Sequence, residues 1–382
     1  MIYLDNAATT PLREEVRQAM EPYLTESFGN PSGVHRAARE ARRAVDEARD
    51  ELAEVLGCSP AEVVFTSGGT EADNLAVTGS ALGSLARGAA KAVLCTSAVE
   101  HPAVLEPARF LGGLELPVDE LGRLDLERAR AVLAAVAEEV ALVSVMLVNN
   151  ETGVVQPLAE LSELAHEACP RALVHTDAVQ ALRWREVASE TAPADLVSYS
   201  AHKVGGPKGT GALVVRGEAR QHLAPLARGG PQERRLRAGT ENVAGIVGFA
   251  RAARLAAEER QGTLESVAAL ARRLLAGIFA LCPGASLAGA GATRVPGICN
   301  VGFEGVRAEA LLLLLDRAGI CASGGSACAS GALEPSPVLM AMGLEAGAAR
   351  GHVRFSFSPA NSPADVDALL AALGPALERL AS

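Results

Sequence analysis

The chain has 382 residues, of which 49% are hydrophobic and 3% aromatic, and it carries a formal charge of −10 with a pI near 5.3. That length allows one large or two medium domains with a core of Ala, Leu and Val. The acidity argues against nucleic acid or an anionic membrane as a partner. The longest aliphatic run, 311–315, is far too short to span a bilayer, and the first residues lack the layout of a signal peptide. Seven cysteines (58, 95, 169, 282, 299, 321 and 328) form no CxxC pair and have no His at metal-ligand spacing. A soluble, metal-free protein of the reducing cytoplasm is therefore expected, with most cysteines buried as small hydrophobes.

In chain order, 36–56 reads as an amphipathic helix laced with Glu/Arg pairs and ended by Gly57. Aliphatic runs at 63–66, 92–95, 142–148, 173–175, 196–199 and 212–215 then alternate with helical stretches at 71–85, 103–111, 126–136 and 158–168. Near-continuous aliphatic strands separated by helices predict an α/β domain with a mostly parallel sheet covered on both faces. A long Ala-rich helical stretch, 243–281, has a break predicted near Gln261-Gly262. Beyond it, strands at 298–303, 320–322 and 353–357 and helices at 307–318 and 364–380 predict a smaller α+β domain, with the boundary near 258.

The strand ends carry the chemistry. Three of the 35 basic residues are lysine, and Lys203 and Lys208 both fall in Ser200-Ala201-His202-Lys203-Val204-Gly205-Gly206-Pro207-Lys208. A lysine kept where arginine is the rule suits an amine that attacks a carbonyl, because Arg cannot lose its proton. Thr66-Ser67-Gly68-Gly69-Thr70-Glu71 links a strand to a helix and reads equally as an anion cradle or as a helix cap with Thr70 at the N-cap. Asp177, in His175-Thr176-Asp177-Ala178-Val179-Gln180, ends another strand, where a carboxylate can pair with a protonated heterocyclic nitrogen or cap the next turn. His101 can stack on a flat ring or be structural, and Asn149-Asn150 is a polar tip or an Asn-rich turn. Five such ends on one sheet edge are a coincidence that separate structural explanations do not cover. Near the other end, Ala322-Ser323-Gly324-Gly325-Ser326-Ala327-Cys328-Ala329-Ser330-Gly331 consists almost wholly of small residues and is expected to be mobile, with Cys328 as an exposed nucleophile. Cys321 reads as buried packing. Arg354, a charge inside an apolar strand, has the fork geometry for a substrate carboxylate.

Taken with Tyr3-Leu4-Asp5-Asn6-Ala7-Ala8-Thr9-Thr10-Pro11, Phe28-Gly29-Asn30-Pro31-Ser32 and Arg237-Ala238-Gly239-Thr240-Glu241-Asn242, these motifs resemble, in order and over the whole chain, those of cysteine desulfurases. These are pyridoxal-phosphate enzymes of the class V aminotransferase superfamily, fold type I. Ser326-Ala327-Cys328 running into Leu333-Glu334-Pro335-Ser336 is similar to the NifS/IscS-like branch. The resemblance implies a large domain, 15–258, around a mostly parallel seven-stranded sheet. A small domain, 1–14 and 259–382, carries the cysteine loop at about 323–334.

By the same resemblance, Lys203 holds pyridoxal 5'-phosphate as a Schiff base and then acts as acid and base. Asp177 holds the ring nitrogen, Gln180 the ring hydroxyl, and His101 stacks on the ring. Gly69, Thr70, Ser200 and His202 bind the phosphate, and Thr240 reaches the phosphate of a partner subunit's cofactor, implying a homodimer. Asn30, Asn150 and Arg354 orient L-cysteine, and Cys328 takes its sulfur as a persulfide for an acceptor protein in iron–sulfur cluster assembly or thiolation. The alternatives are a selenocysteine lyase or another class V aminotransferase. The chain departs from the common pattern at Gly69, where many members have Ala, at Ala201 and at Pro231. It also stops soon after its last predicted helix, which leaves the sulfur acceptor open.

Overall fold

The computed structural model describes residues 1–324 and 335–381. At its centre, seven strands lie in the spatial order Val63–Thr66, Gly211–Val215, Leu196–Ser200, Leu173–Asp177, Val140–Ser144, Val93–Ser97 and Leu114–Leu116. Gly211–Val215 runs antiparallel to both neighbours, and every other pairing in this sheet is parallel. The four inner strands from Gly211–Val215 to Val140–Ser144 are buried along their whole length, as a sheet covered on both faces requires. The helix Gly69–Ala86 lays Ala72, Leu75 and Ala76 against Val64, Leu94, Leu142, Leu173, Leu196 and Leu213 on one face. Because Val63–Thr66 shares the direction of the parallel strands, the loops after residues 66, 97, 144, 177 and 200 all leave from one edge. That carboxyl edge is where ligands bind in open α/β sheets.

The remaining chain builds a three-stranded antiparallel sheet of Ser286–Leu287, Ile298–Gly302 and His352–Ser356. The helices Ala308–Arg317 and Pro363–Ala381 accompany it. Here the structure differs from the expectation: the strand Ile320–Cys321 does not join this sheet but pairs in parallel with Ile2–Tyr3. Cys321 is accordingly half-buried, not core packing.

Other differences have local causes. The predicted strand 142–148 is regular only over Val140–Ser144. Beyond it Val148 pairs with Val155, and the chain folds back to form the tip around Asn149. The break in the long helix falls at Glu259, between Val243–Glu258 and Arg260–Leu281, and Gly262 is carried within the second helix. There the Glu259 carboxylate holds both terminal nitrogens of Arg13 at 2.7 and 2.8 Å. Several short elements were not predicted, and two of them show why. Glu14–Leu24 contains Pro22 and buries Val16, and Leu114–Leu116 has three residues, two of them exposed, so neither carries a strong period. Among the described residues no helix is long and apolar enough to cross a membrane.

Candidate active site

Lys203 closes a short 3-10 turn, Ala201–Lys203, directly after the strand Leu196–Ser200. Its Nζ donates to the carbonyl oxygens of Ala7 and Ala8 at 2.7 and 2.8 Å. The same N-terminal stretch grips the turn: Thr10 Oγ1 donates to the His202 carbonyl and accepts from the Gly205 N–H, both at 2.8 Å. Thr9 Oγ1 lies 3.0 Å from His202 Nδ1. The lysine faces a cavity of about 670 Å³ at the carboxyl edge of the sheet, which Asp177, His101, Thr70, Asn150, Ser200 and Arg354 also line. A second groove, about 820 Å³, lies at the opposite edge, and surface ion pairs such as Lys91–Glu139 take up part of its charged lining.

Each strand end contributes for a visible reason. The helix Gly69–Ala86 starts from Gly68 as N-cap with no side-chain cap, so the cap reading of Thr70 fails. Thr70 stands inside the first turn, at a helix N-terminus suited to an anion. Gly69 is there because a Cβ would lie 2.8 Å from Val179 Cγ2. His101 is both structural and a lining group: its Nδ1 accepts from Ala103 N–H at 3.1 Å, capping the helix Pro102–Phe110. Asn149 is consumed by the turn, its Oδ1 accepting from Glu151 and Thr152 at 2.8–3.0 Å. Asn150 instead brings a buried Oδ1 with no hydrogen-bond partner to the cavity wall. Gln180 donates to the Ala7 carbonyl at 2.7 Å.

Burial governs the electrostatics. Asp177 accepts from Val179 N–H at 2.8 Å, yet burial raises its carboxyl to about 6, against the opposing pull of Val179 and Lys203. Burial raises Glu100 to about 8, although its Oε1 accepts from Met146 N–H at 2.6 Å. Burial, then the Lys203 charge, lowers His101 to about 4, and the same two causes with Lys208 lower His202 to about 4. Both imidazoles are neutral at pH 7. Arg354, 2% exposed, donates to Asp5 Oδ1 at 2.8 Å and to the Asn150 carbonyl at 2.9 Å.

Two predicted residues do not line this cavity. Asn30 is exposed and its Oδ1 accepts from Ser32 N–H at 2.9 Å, and Thr240 is exposed. Cys328 lies outside the described residues. Its flanks are defined: Ser323 exchanges backbone hydrogen bonds with Arg354, and Pro335 lines the cavity. Ser336 donates to Glu151 Oε2 at 2.5 Å. Sequence reasoning missed Asp5, Asp73, Glu100 and the Ala7–Ala8 carbonyls. Asp5 sits inside a motif already singled out and Asp73 two residues beyond one, but nothing in the spacing aims them at the cavity. Among the described residues no group of three or more His, Cys, Asp or Glu could hold a metal ion.

The chain that builds this cavity is similar to known proteins. The model of the family "Aminotransferase class-V" matches residues 2–369. A cysteine desulfurase of Cereibacter sphaeroides is 47% identical over 99% of this chain and 96% of its own length. The cysteine desulfurase NifS of Azotobacter vinelandii is 41% identical over 99% of this chain and 93% of its own. A solved NifS-like protein superposes with a TM-score of 0.90 at 34% identity, covering 99% of both chains. This chain belongs to the class V aminotransferase family.

Proposed function

We propose that the protein is a pyridoxal-phosphate-dependent cysteine desulfurase that converts L-cysteine to L-alanine with a persulfide on Cys328. The observation that carries this reading is one cavity at the carboxyl edge that gathers Lys203, Asp177, His101 and Arg354. Ser323 and Pro335, which bracket the Cys328 segment, lie beside it. The residues present fit the cofactor. Lys203 supplies the amine, Asp177 a buried carboxylate for the ring nitrogen, and Thr70 with the N–H groups around Gly69, Ser200 and His202 a phosphate seat. The buried, unpartnered Asn150 Oδ1 and Glu100 Oε2 mark a wall built to face polar atoms. Gln180 would face the ring hydroxyl. Bound there, the cofactor supplies a cationic ring that draws electron density from the substrate's carbon atoms.

The chain's own groups do the rest. Arg354 and Asn150 hold the substrate carboxylate, Arg354 sharing its fork with Asp5. Neutral His101 offers a flat apolar face over the ring without a competing charge. Lys203 moves the Cα proton, its Nζ already oriented by the Ala7 and Ala8 carbonyls. The Cys328 thiolate attacks the substrate sulfur. An S–S bond forms as the carbon–sulfur bond breaks, the electron pair stays with the carbon fragment, and that fragment leaves as alanine after protonation.

Two copies would complete the site. Phe28, Val34 and Phe110 are 79%, 88% and 89% exposed, apolar side chains that a second copy could cover. Thr240, outside this chain's own cavity, would serve the partner's phosphate. We further read 1–14 with 259–382 as one smaller domain against 15–258, supported by the pairing of Ile2–Tyr3 with Ile320–Cys321. The six described cysteines are all free, in keeping with a reducing cytoplasm. An acceptor protein would then take the sulfur for iron–sulfur cluster assembly or thiolation.

The test is Cys328→Ala. It is expected to keep the yellow cofactor and to lose sulfide release from L-cysteine, whereas unchanged sulfide release refutes the nucleophile. Lys203→Ala is expected to lose the cofactor that borohydride traps on the wild-type chain. A competing rate with L-selenocysteine separates the desulfurase from a selenocysteine lyase.

A further inference from the structure

Asp73 is an aspartate with no part in the reading above, and it is 2% exposed in the wall of the cavity. It stands on the helix Gly69–Ala86, which covers the sheet face opposite the strand Leu173–Asp177. On that strand His175 and Asp177 are two residues apart, so both side chains point to the same face. His175 Nε2 lies 3.7 Å from Asp73 Oδ1 and 3.0 Å from Ser198 Oγ, and its Nδ1 lies 2.8 Å from Ser144 Oγ. Asp73 Oδ1 has no hydrogen-bond partner although it is buried. The titratable groups facing this spot are Asp177 and His175 from the strand, Glu100 from the loop after Val93–Ser97, and Lys203 from the loop after Leu196–Ser200.

Two neighbouring carboxylates in a dry site do not both ionise. Their surroundings differ in what they favour. Asp177 receives the Val179 N–H at 2.8 Å and feels the charge of Lys203, and both support an anion. Asp73 has the Ser198 hydroxyl and His175, whose imidazole is lowered to about 3 by burial and so brings no positive charge. Burial first, then the Asp177 charge, raises Asp73 well above the ordinary aspartate value.

Resting on the pyridoxal-phosphate reading, we propose that Asp73 is a positioning residue of the ring-nitrogen site: it carries the proton of the Asp73–Asp177 pair and leaves Asp177 as the anion that meets the protonated ring. The Ser144–His175–Ser198 chain behind it is then neutral throughout, a support that adds no charge to the pair. An Asp73 anion would place the proton on Asp177 and remove the ring's counter-charge.

The experiment uses the full-length apoprotein with ¹³C-labelled aspartate, followed by titration with pyridoxal 5'-phosphate in equilibrium dialysis. Wild type is expected to show an aspartyl carboxyl still protonated at pH 7, absent in Asp73→Asn and present in Asp177→Asn. Asp73→Asn, which mimics the protonated acid, is expected to bind cofactor within about threefold of wild type, and Asp73→Ala more weakly by about tenfold. Asp73→Ser, which keeps a donor in less volume, replaces Asn if that variant does not fold. The proposal is overturned if the protonated signal belongs to Asp177, or if a folded Asp73→Asn loses cofactor as Asp73→Ala does. A wild-type chain that binds no cofactor overturns the cofactor reading alone, because the carboxyl titration is read on the apoprotein.

Discussion

Gly69 has no room for a methyl group: its missing Cβ would meet Val179 Cγ2 at 2.8 Å and Ser200 Cβ at 3.4 Å. A β-branched neighbour cannot swing aside cheaply, so Gly69→Ala is expected to destabilise the apoprotein by about 1–2 kcal/mol through overpacking. Adding Val179→Ala should return about 1 kcal/mol of that loss as a favourable coupling, read from urea unfolding of the four proteins in the cycle. Strictly additive costs would show that the two sites do not collide. Glu100 tests the electrostatics at the same scale. Burial lifts it from 4.5 to about 8, so its contribution to stability is complete below pH 4.5. Above that the unfolded chain ionises first, and stability falls by up to about 1.4 kcal/mol per pH unit until the folded group titrates near pH 8. Glu100→Gln is expected to decline less steeply between pH 5 and pH 8 in urea unfolding, and an unchanged slope would refute the burial argument. His101 and His202 act in the opposite sense, since stability held above pH 6.5 is lost as pH falls toward about 4.

At the scale of an element, the segment after Pro231 is unusual. Glu233, Arg234 and Arg235 have φ of +41°, +54° and +69°, three consecutive side-chain-bearing residues in the left-handed region. Each costs on the order of 1 kcal/mol. The turn is held because Glu233 forms a buried bidentate pair with Arg49 at 2.7 and 2.9 Å and also accepts the Phe65 N–H at 2.9 Å. Arg49 in turn sits 4.6 Å over the Phe65 ring. The anchored turn delivers Arg237 to Glu71, at 2.9 Å, on the first turn of the helix that opens the cavity. Glu233→Ala is expected to destabilise by about 3–5 kcal/mol, because it strands a buried guanidinium. Arg235→Gly, in contrast, should be neutral or stabilising by up to about 1 kcal/mol, relieving strain against the extra freedom of the unfolded chain. Thermal unfolding distinguishes them, and a strongly destabilised Arg235→Gly would contradict the strained turn.

Across the whole molecule, the first ten residues tie distant parts together. Ile2–Tyr3 pairs with Ile320–Cys321, Asp5 with Arg354, the Ala7 and Ala8 carbonyls with Lys203, and Thr10 with the turn at His202 and Gly205. None of the first ten residues stood out as a candidate site residue, yet they hold the Lys203 amine and the Arg354 guanidinium in place. Thr10→Val keeps the shape and removes both hydroxyl bonds, leaving a carbonyl and an N–H without that partner. It is expected to cost about 1–3 kcal/mol and to weaken cofactor binding, measured by urea unfolding and equilibrium dialysis. Unchanged values in both would show that the strap is incidental.

What the sequence determined by itself was everything written in short range. Aliphatic runs and helical periods located the inner strands and most helices, and the strand ends exposed Lys203, Asp177, His101 and the Gly69-Thr70 loop as one edge. Arg354 stood out because a charge inside an apolar strand needs a partner. Tertiary structure alone decided who that partner is, since Asp5 is 349 positions away. The same holds for the carbonyls that orient Lys203 from 196 and 195 positions away, and for Asp73 beside His175. It also separated Asn149, absorbed in its turn, from Asn150 at the cavity, and moved the strand 320–321 from the expected sheet to the N-terminus. The physical reason is the same in each case: periodicity and spacing record contacts within a few turns of chain, whereas packing joins segments whose separation leaves no pattern in the sequence.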